Sequence, residues 1–293
     1  MIFLVAVALL AVVARVANFR DVFVEGGIYF TDADCYSRMT RVAMVLEKPG
    51  TILRHHRFEN YPEGIDPHTT APLDYTIVML KAVVDGVLFF VDRNGTSVLR
   101  GQSADVAGAF VSVVLGTLTC LWVALWAKMM ERGAGRSTVL SGMEPRQWPR
   151  FSWAAAPLFF AVSPIVVHGT ALGRPDHQSL MLFFLAVALG AECRLARTPS
   201  RAWSITSGLA WGVALWVSLY EPLILLIGLL VIWLLCAQQR IFARERLPWL
   251  TTFLAVGLVA WLIEGWRFHS PDRDMFIYLV NWNKTIGEMR HLN

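Results

Sequence analysis

The chain has 293 residues, 56% of them hydrophobic and only 16% charged, with a formal net charge of +4. A soluble domain carries roughly a quarter charged residues, and the mean hydropathy of +0.50 agrees that water is not the main solvent of this chain. The apolar residues fall in blocks, several of which meet the ~20 residues that cross a hydrocarbon core as helix, and none shows the ~10-residue alternating segments of a β-barrel. The Lys and Arg residues sit at block ends, where they report topology; no basic face interleaved with aromatics marks a nucleic-acid partner.

The first block covers 2–17. Ala14-Arg15-Val16-Ala17 resembles a signal-peptide cleavage site, but no basic segment precedes the block, so a retained first span is expected. A long mixed segment follows, 18–104, rich in charge, Pro and Gly. Its stretch 74–91 is apolar yet carries Lys81 and Asp85, and reads as a helix lying on or partly in the membrane. Further spans are expected near 105–128, 153–168, 178–196, 204–219, 222–237 and 248–266. Trp153, Trp203, Tyr220 and Trp249 at their ends suit an interfacial aromatic belt. Cys35, Cys120, Cys193 and Cys236 are widely spaced and form no CxxC pair, so neither a disulfide framework nor a zinc site is expected.

Orientation follows from the short loops. Arg-rich loops lie near 128–150, 194–201 and 238–247, whereas the alternate loops carry Arg174 alone or nothing basic. The positive-inside rule puts the Arg-rich loops and the N-terminus in the cytoplasm. Arg15 and Arg20, at the outer end of the first span, run against this pattern; the long segment after them weakens the rule there. Asp32, Asp34, Asp176, Asp272, Asp274 and Glu288 then face outward. Glu131, Glu144, Glu192 and Glu245 lie in or beside the cytoplasmic loops.

Three outer motifs could carry chemistry. Thr31-Asp32-Ala33-Asp34-Cys35-Tyr36-Ser37-Arg38 offers two carboxylates that could hold a hard divalent cation through oxygen, or could simply cap the helix that follows. Gly173-Arg174-Pro175-Asp176-His177-Gln178 puts an Asp beside a His in a short outer loop; a cap is again the plain alternative, but ionisable groups at such places are functional candidates. Thr285-Ile286-Gly287-Glu288 adds an acid in the outer tail that could equally be a solvated surface residue. His55-His56, followed by Tyr61-Pro62-Glu63-Gly64, reads as a turning loop, since adjacent histidines rarely share one ion.

Together these motifs resemble the catalytic subunit family of oligosaccharyltransferases, membrane enzymes of the GT-C glycosyltransferase class. Asp34-Cys35-Tyr36 looks like the family's Asp-x-Tyr motif, including the Arg that follows. Tyr61-Pro62-Glu63-Gly64 matches its Tyr-Pro-x-Gly turn, Gly173-Arg174-Pro175-Asp176 its Gly-x-x-Asp, and Thr285-Ile286-Gly287-Glu288 its Thr/Ser-hydrophobic-x-Glu. The resemblance implies an all-α polytopic fold of the GT-C type, with about seven transmembrane helices and interfacial helices in the first external loop. It implies glycan transfer from a polyprenyl-diphosphate (lipid-linked oligosaccharide) donor to the amide nitrogen of an Asn in an acceptor polypeptide, assisted by Mg²⁺ or Mn²⁺. Asp34, Asp176, Gln178 and Glu288 would be metal ligands, with Asp34 and Glu288 also polarising the acceptor amide. His177, Thr285 and Asp32 are possible further contributors.

The chain departs from the family pattern in four places. Gln178 stands where an acidic residue or His is usual, Gly169 where an Arg often precedes the loop Asp by seven residues, and the spans are fewer than in better-known members. No Trp-Trp-Asp-Tyr-Gly motif, which in the family reads the acceptor sequon, occurs in the sequence. Residues 1–293 are therefore expected to be a single transmembrane domain without the family's soluble domain, an N-terminal portion in a prokaryotic cell membrane with its active face outside. The competing readings are another GT-C enzyme using a polyprenyl-phosphate sugar, and a transporter; a transporter would place ionisable residues at mid-membrane and could show inverted repeats, and no repeat is detected.

Overall fold

The structure is a computed structural model that describes residues 2–53, 55–56, 58–60, 62–65, 70–91, 101–140, 152–236 and 246–264. In chain order its elements are α1 (Ile2–Arg15), α2 (Phe19–Val22), β1 (Phe23–Val24), β2 (Gly27–Ile28), α3 (Ala33–Glu47), α4 (Ala71–Val91), α5 (Ser103–Leu140), α6 (Ser152–Val162), α7 (Pro164–Gly169), α8 (His177–Arg197), α9 (Arg201–Val217), α10 (Tyr220–Cys236) and α11 (Leu247–Glu264). The all-α character expected from the sequence is observed, apart from one antiparallel hairpin whose two-residue turn, Glu25-Gly26, has positive φ at both positions.

Helix α5 is the axis of the bundle and touches α1, α4, α6 and α8; α9 packs between α8 and α11. Among the described residues three helical stretches are long and apolar enough to cross a membrane: Ser103–Met130, His177–Arg197 and Leu247–Glu264. The apolar stretches Ile2–Arg15, Trp153–Val162 and Tyr220–Leu235 are shorter. The span expected over 153–168 is two helices. Pro164 occupies the first turn of α7 and holds Ser163 at φ −57°, ψ 121°, out of helical conformation, because a proline ring crowds the residue before it. The segment expected at 74–91 begins three residues earlier, at Ala71. It leaves Met79, Val83, Val87 and Phe90 exposed at helical spacing, while Lys81 and Asp85 pair at 2.7 Å on another face.

Close helix approach depends on small residues, as it must where lipid offers apolar contacts as good as another helix does. Gly208 and Gly212, four apart on α9, face α11. A Cβ at Gly208 would lie 2.3 Å from the Trp249 carbonyl oxygen, and one at Gly212 would lie 2.7 Å from Val256 Cβ. This contact carries α11 along α9 and sets where Glu264 stands.

Charge inside the bundle is gathered into networks. Asp74, in the first turn of α4, receives Arg38 Nη1 at 2.7 Å, Arg41 Nε at 2.9 Å and Arg41 Nη2 at 2.6 Å, and all three side chains are at most 3% exposed. Glu264 is fully buried; its Oε1 accepts the Ala71 backbone N–H at 2.9 Å and Trp216 Nε1–H at 3.0 Å, so the end of α11 caps the start of α4. At the opposite ends of α8, α9 and α11, Arg246 donates to the buried Glu192 at 2.6 Å, Ser207 bonds the same carboxylate, and Trp249 Nε1 donates to Ser207 at 2.9 Å.

Arg15, set aside in the orientation argument, is wholly buried. Its guanidinium donates to Thr170 Oγ1 (2.8 Å), to the Ala11 and Ala161 carbonyls (2.9 and 3.2 Å) and to Cys120 Sγ (3.5 Å). It is a structural tie between α1, α5, α6 and the segment after α7, which is why it sits where a topology signal would not.

Asp74→Ala would strand two buried guanidinium groups. It is expected to lower stability by about 3–5 kcal/mol, read as a large fall in the unfolding midpoint of the detergent-solubilised protein; a change within about 0.5 kcal/mol, the range of ordinary surface substitutions, would contradict the network.

Candidate functional site

The segments that precede α3 and α8 meet at their backbones. Thr31 N–H donates to the Gly173 carbonyl at 3.0 Å, Gly173 N–H to Ala109 O at 2.9 Å, and Leu172 N–H to Arg15 O at 2.9 Å. Gly173 has φ +75°, and a Cβ there would meet Val22 Cγ2 at 2.7 Å and the Tyr29 carbonyl oxygen at 3.2 Å. Only glycine combines that backbone with that contact. The beginnings of α3 and α8 are thereby held side by side.

Each helix opens on an aspartate. Asp32 is the N-cap of α3, its Oδ1 accepting Cys35 N–H at 3.0 Å, so the capping alternative holds for this residue. Asp176 occupies the same place on α8 but makes no side-chain cap bond. Its Oδ1 lies 2.6 Å from His177 Nδ1, and its backbone oxygen accepts from Ser179 Oγ, which is tied in turn to Ser112. Arg174 joins the two aspartates: its Nη2 is 3.9 Å from Asp32 Oδ2 and 3.8 Å from Asp176 Oδ2. The two carboxylate oxygens are thus no further apart than those distances combined.

Asp34, one residue inside α3, is exposed and has no hydrogen bond or ion pair to any described residue. Gln178 is exposed on the first turn of α8, and a Cβ at Gly169 would stand 3.5 Å from its Oε1. Asp34 and Gln178 therefore keep their oxygens open for a ligand, whereas Asp32 and Asp176 are already engaged. Thr285 and Glu288 lie outside the described residues, as do Asp272 and Asp274. Among the described residues no group of three or more His, Cys, Asp or Glu side chains gathers as a metal cluster. What is present is a set of oxygen donors at one end of the bundle, the ligand type that hard divalent cations take.

Burial acts to raise the Asp176 pKa, but the hydrogen-bonding His177, then Arg174 and Arg38, outweigh it and hold the carboxyl below its ordinary 3.8. Cys35, in the middle of the Asp-x-Tyr motif, is buried. That burial, with Asp32 nearby, pushes its thiol up to about 12, so it remains a neutral packing residue and neither a thiolate ligand nor a nucleophile.

The His55-His56 segment is a loop, as expected. His56 and Ile65 exchange two backbone hydrogen bonds at 2.9 Å, and Gly64, at φ +78°, closes the turn. Glu59 from this loop accepts from Ser37 of α3, so the loop braces the helix that carries Asp34.

No protein-family model matches the chain. Over 187 residues, 64% of its length, it is 25% identical to dolichyl-phosphooligosaccharide-protein glycotransferase 1 of Archaeoglobus fulgidus, of which the match covers 26%. The chain resembles the catalytic subunits of oligosaccharyltransferases. The oligosaccharyltransferase of that archaeon in its apo form superposes with a TM-score of 0.63 and 19% identity, over 89% of this chain and 29% of that one. The same enzyme in complex with Zn and sulfate gives 0.63 and 18%, over 89% and 31%. The archaeal oligosaccharyltransferase AglB from Archaeoglobus fulgidus, in complex with an inhibitory peptide and a dolichol-phosphate, gives 0.59 and 17%, over 99% and 37%. The chain thus shares the helical fold of these oligosaccharyltransferases and spans about a quarter to a third of their length.

Reading by motif passed over several residues that hold this region together. Arg174 registered only as a lone basic residue, Arg38 only as the Arg after the motif, and Arg41, Asp74 and Glu264 not as a network. A signal existed for part of it: Arg38 and Arg41 are three apart on one face of α3, and Asp74 opens an otherwise apolar helix.

Gly173→Ala is expected to cost more than about 1 kcal/mol, since alanine at positive φ is strained even where space allows; thermal unfolding against wild type measures it. Asp176, with its folded pKa depressed, contributes stability that is complete above its ordinary pKa of 3.8 and is lost as pH falls through the lower folded value. Asp176→Asn should flatten that acid limb in a stability–pH profile, and an unchanged limb would show that Asp176 is not its source.

Proposed function

We propose that this chain forms the membrane-embedded part of an oligosaccharyltransferase-like glycosyltransferase, which moves a glycan from a polyprenyl-diphosphate donor to an asparagine of an acceptor polypeptide. The observation that carries the reading is the Thr31–Gly173 backbone bond, which sets the acid-bearing first turns of α3 and α8 side by side. The order of the motifs and the likeness to the archaeal glycotransferase support it. The region is a single transmembrane domain, 1–293, with a first external loop over about 18–104 and an external tail over about 267–293; about seven helices span a cell membrane, with the active end outside.

In this reading Asp34 and Asp176 hold Mg²⁺ or Mn²⁺, Gln178 adds its amide oxygen, and Glu288 closes the site from the tail. The bound ion supplies charge that offsets the negative charge growing on the leaving diphosphate. His177 orients the Asp176 carboxylate through the 2.6 Å contact. Asp34 and Glu288 accept hydrogen bonds from the acceptor amide and keep its nitrogen turned toward the sugar. A site at the end of the bundle lets the polyprenyl tail stay in lipid while its head group reacts.

Assayed in native membranes with a lipid-linked oligosaccharide, an Asn-containing peptide and Mn²⁺, Asp34→Ala and Asp176→Ala are each expected to lower transfer at least about a hundredfold, the scale of losing a group that acts on transition-state charge. Asp85→Ala, in the exposed Lys81–Asp85 pair, should leave it unchanged. Undiminished transfer by Asp34→Ala would overturn the reading; transfer from a polyprenyl-monophosphate sugar alone would replace it with the other GT-C chemistry.

A further inference from the structure

The acids at the start of α3 and α8 already share a cation, and it is held in an unusual way. Arg174 Nη2 stands 3.9 Å from Asp32 and 3.8 Å from Asp176, beyond the 2.7–3.2 Å of a direct N–H···O hydrogen bond. Its Nη1 rests 3.1 Å from His168 Nδ1, and its Nε is buried with no hydrogen-bond partner among the described residues. Two fully buried arginines differ. Arg41 grips Asp74 at 2.6 and 2.9 Å, and Arg15 is satisfied by four acceptors. Arg174, unlike these two, sits between two carboxylates as a shared charge, locked to neither.

From this we propose that Arg174 is the internal competitor of the divalent-ion site: its guanidinium compensates Asp32 and Asp176 until a divalent cation bound at Asp176 supplies that charge instead, and it thereby sets how tightly the ion binds. The proposal rests on the metal-assisted reading above. The physics favours exchange. A divalent ion brings twice the charge and approaches carboxylate oxygen at about 2.0–2.6 Å, much nearer than the guanidinium stands. Arg174 is partly exposed, at 18%, so it has solvent to move into. Its release breaks no short hydrogen bond to a carboxylate, only the 3.1 Å contact with His168. The protein then avoids leaving neighbouring carboxylates uncompensated when no ion is bound, and binds the ion less tightly than the bare acids would.

The test reads ion binding, not turnover. Mn²⁺ alone is titrated into the detergent-solubilised full chain and followed by the loss of the free-ion electron paramagnetic resonance signal. Arg174→Gln removes the competing charge and is expected to tighten Mn²⁺ binding on the order of tenfold. Arg174→Lys keeps the charge and is expected to stay near wild type. Thermal unfolding of the three proteins checks that all are folded, and either substitution can carry the comparison against wild type. Equal or weaker Mn²⁺ binding by folded Arg174→Gln, with wild type binding, overturns the competitor role and leaves the metal reading standing. Tight binding by Arg174→Lys equal to that of Arg174→Gln also overturns it, since charge would then not be the cause. Absence of Mn²⁺ binding in wild type and both variants removes the metal reading itself, and this proposal with it.

Discussion

A carboxylate buried in a membrane bundle cannot be left without partners, and Asp74 is where this constraint organises the molecule. Two guanidinium groups from α3 converge on it, and Glu264 at the end of α11 stands at the N-terminus of the same helix. Moving charge into a low-dielectric interior costs several kcal/mol per ion unless geometry and hydrogen bonds compensate, so buried charges gather on one another. Here the two arginines and two acids balance. The network joins four elements, α3, α4, α9 and α11, at one end of the bundle, with Glu264 Oε2 left without a hydrogen-bond partner among the described residues.

That junction positions the acids beside it. Arg38 belongs to the buried network and also acts electrostatically on Asp176 of α8. Arg15 does related work from the opposite flank, bonding Thr170 through its side chain and Leu172 through its backbone. The segment carrying Gly173, Arg174 and Asp176 is thus suspended between two buried arginine networks. Rigidity of this kind is what a site built from short polar segments needs, since a loose carboxylate cannot hold an ion in one geometry. Within the frame the acids divide by environment. Asp74 and Glu264 are structural and sealed, Asp32 and Asp176 are shared with Arg174, and Asp34 remains open to solvent. Composition alone ranks these carboxylates as equals; their partners separate them.

Much of the architecture could be read from the chain. Hydrophobic blocks located the helices, and alternating Arg-rich loops put Asp32, Asp34 and Asp176 at one end and Glu192 at the other, which is how the described helices carry them. The likeness to oligosaccharyltransferases was carried by short motifs in the right order, and it extends over 187 residues in the archaeal relative. Other features were not legible. The break at Ser163 had its signal in Pro164, which turns the residue before it out of helix, but it lay hidden within one continuous apolar run. Arg15 read as an anomaly of topology because its acceptors come from residues 11, 120, 161 and 170, and no local pattern joins them.

The sequence by itself determined the solvent, the helices, which acids share an end of the bundle and the family likeness, since each depends on composition or on spacing within one segment. Only the tertiary structure decided which charges are partners. Asp74 finds Arg38 and Arg41 across more than thirty residues, Glu264 reaches Ala71 across 193, and Arg174 falls between Asp32 and Asp176 only because Gly173 lets two loops touch. Electrostatic pairing follows distance in space, and in a helical bundle that distance is set by packing at small residues such as Gly208 and Gly212, which sequence separation does not reveal.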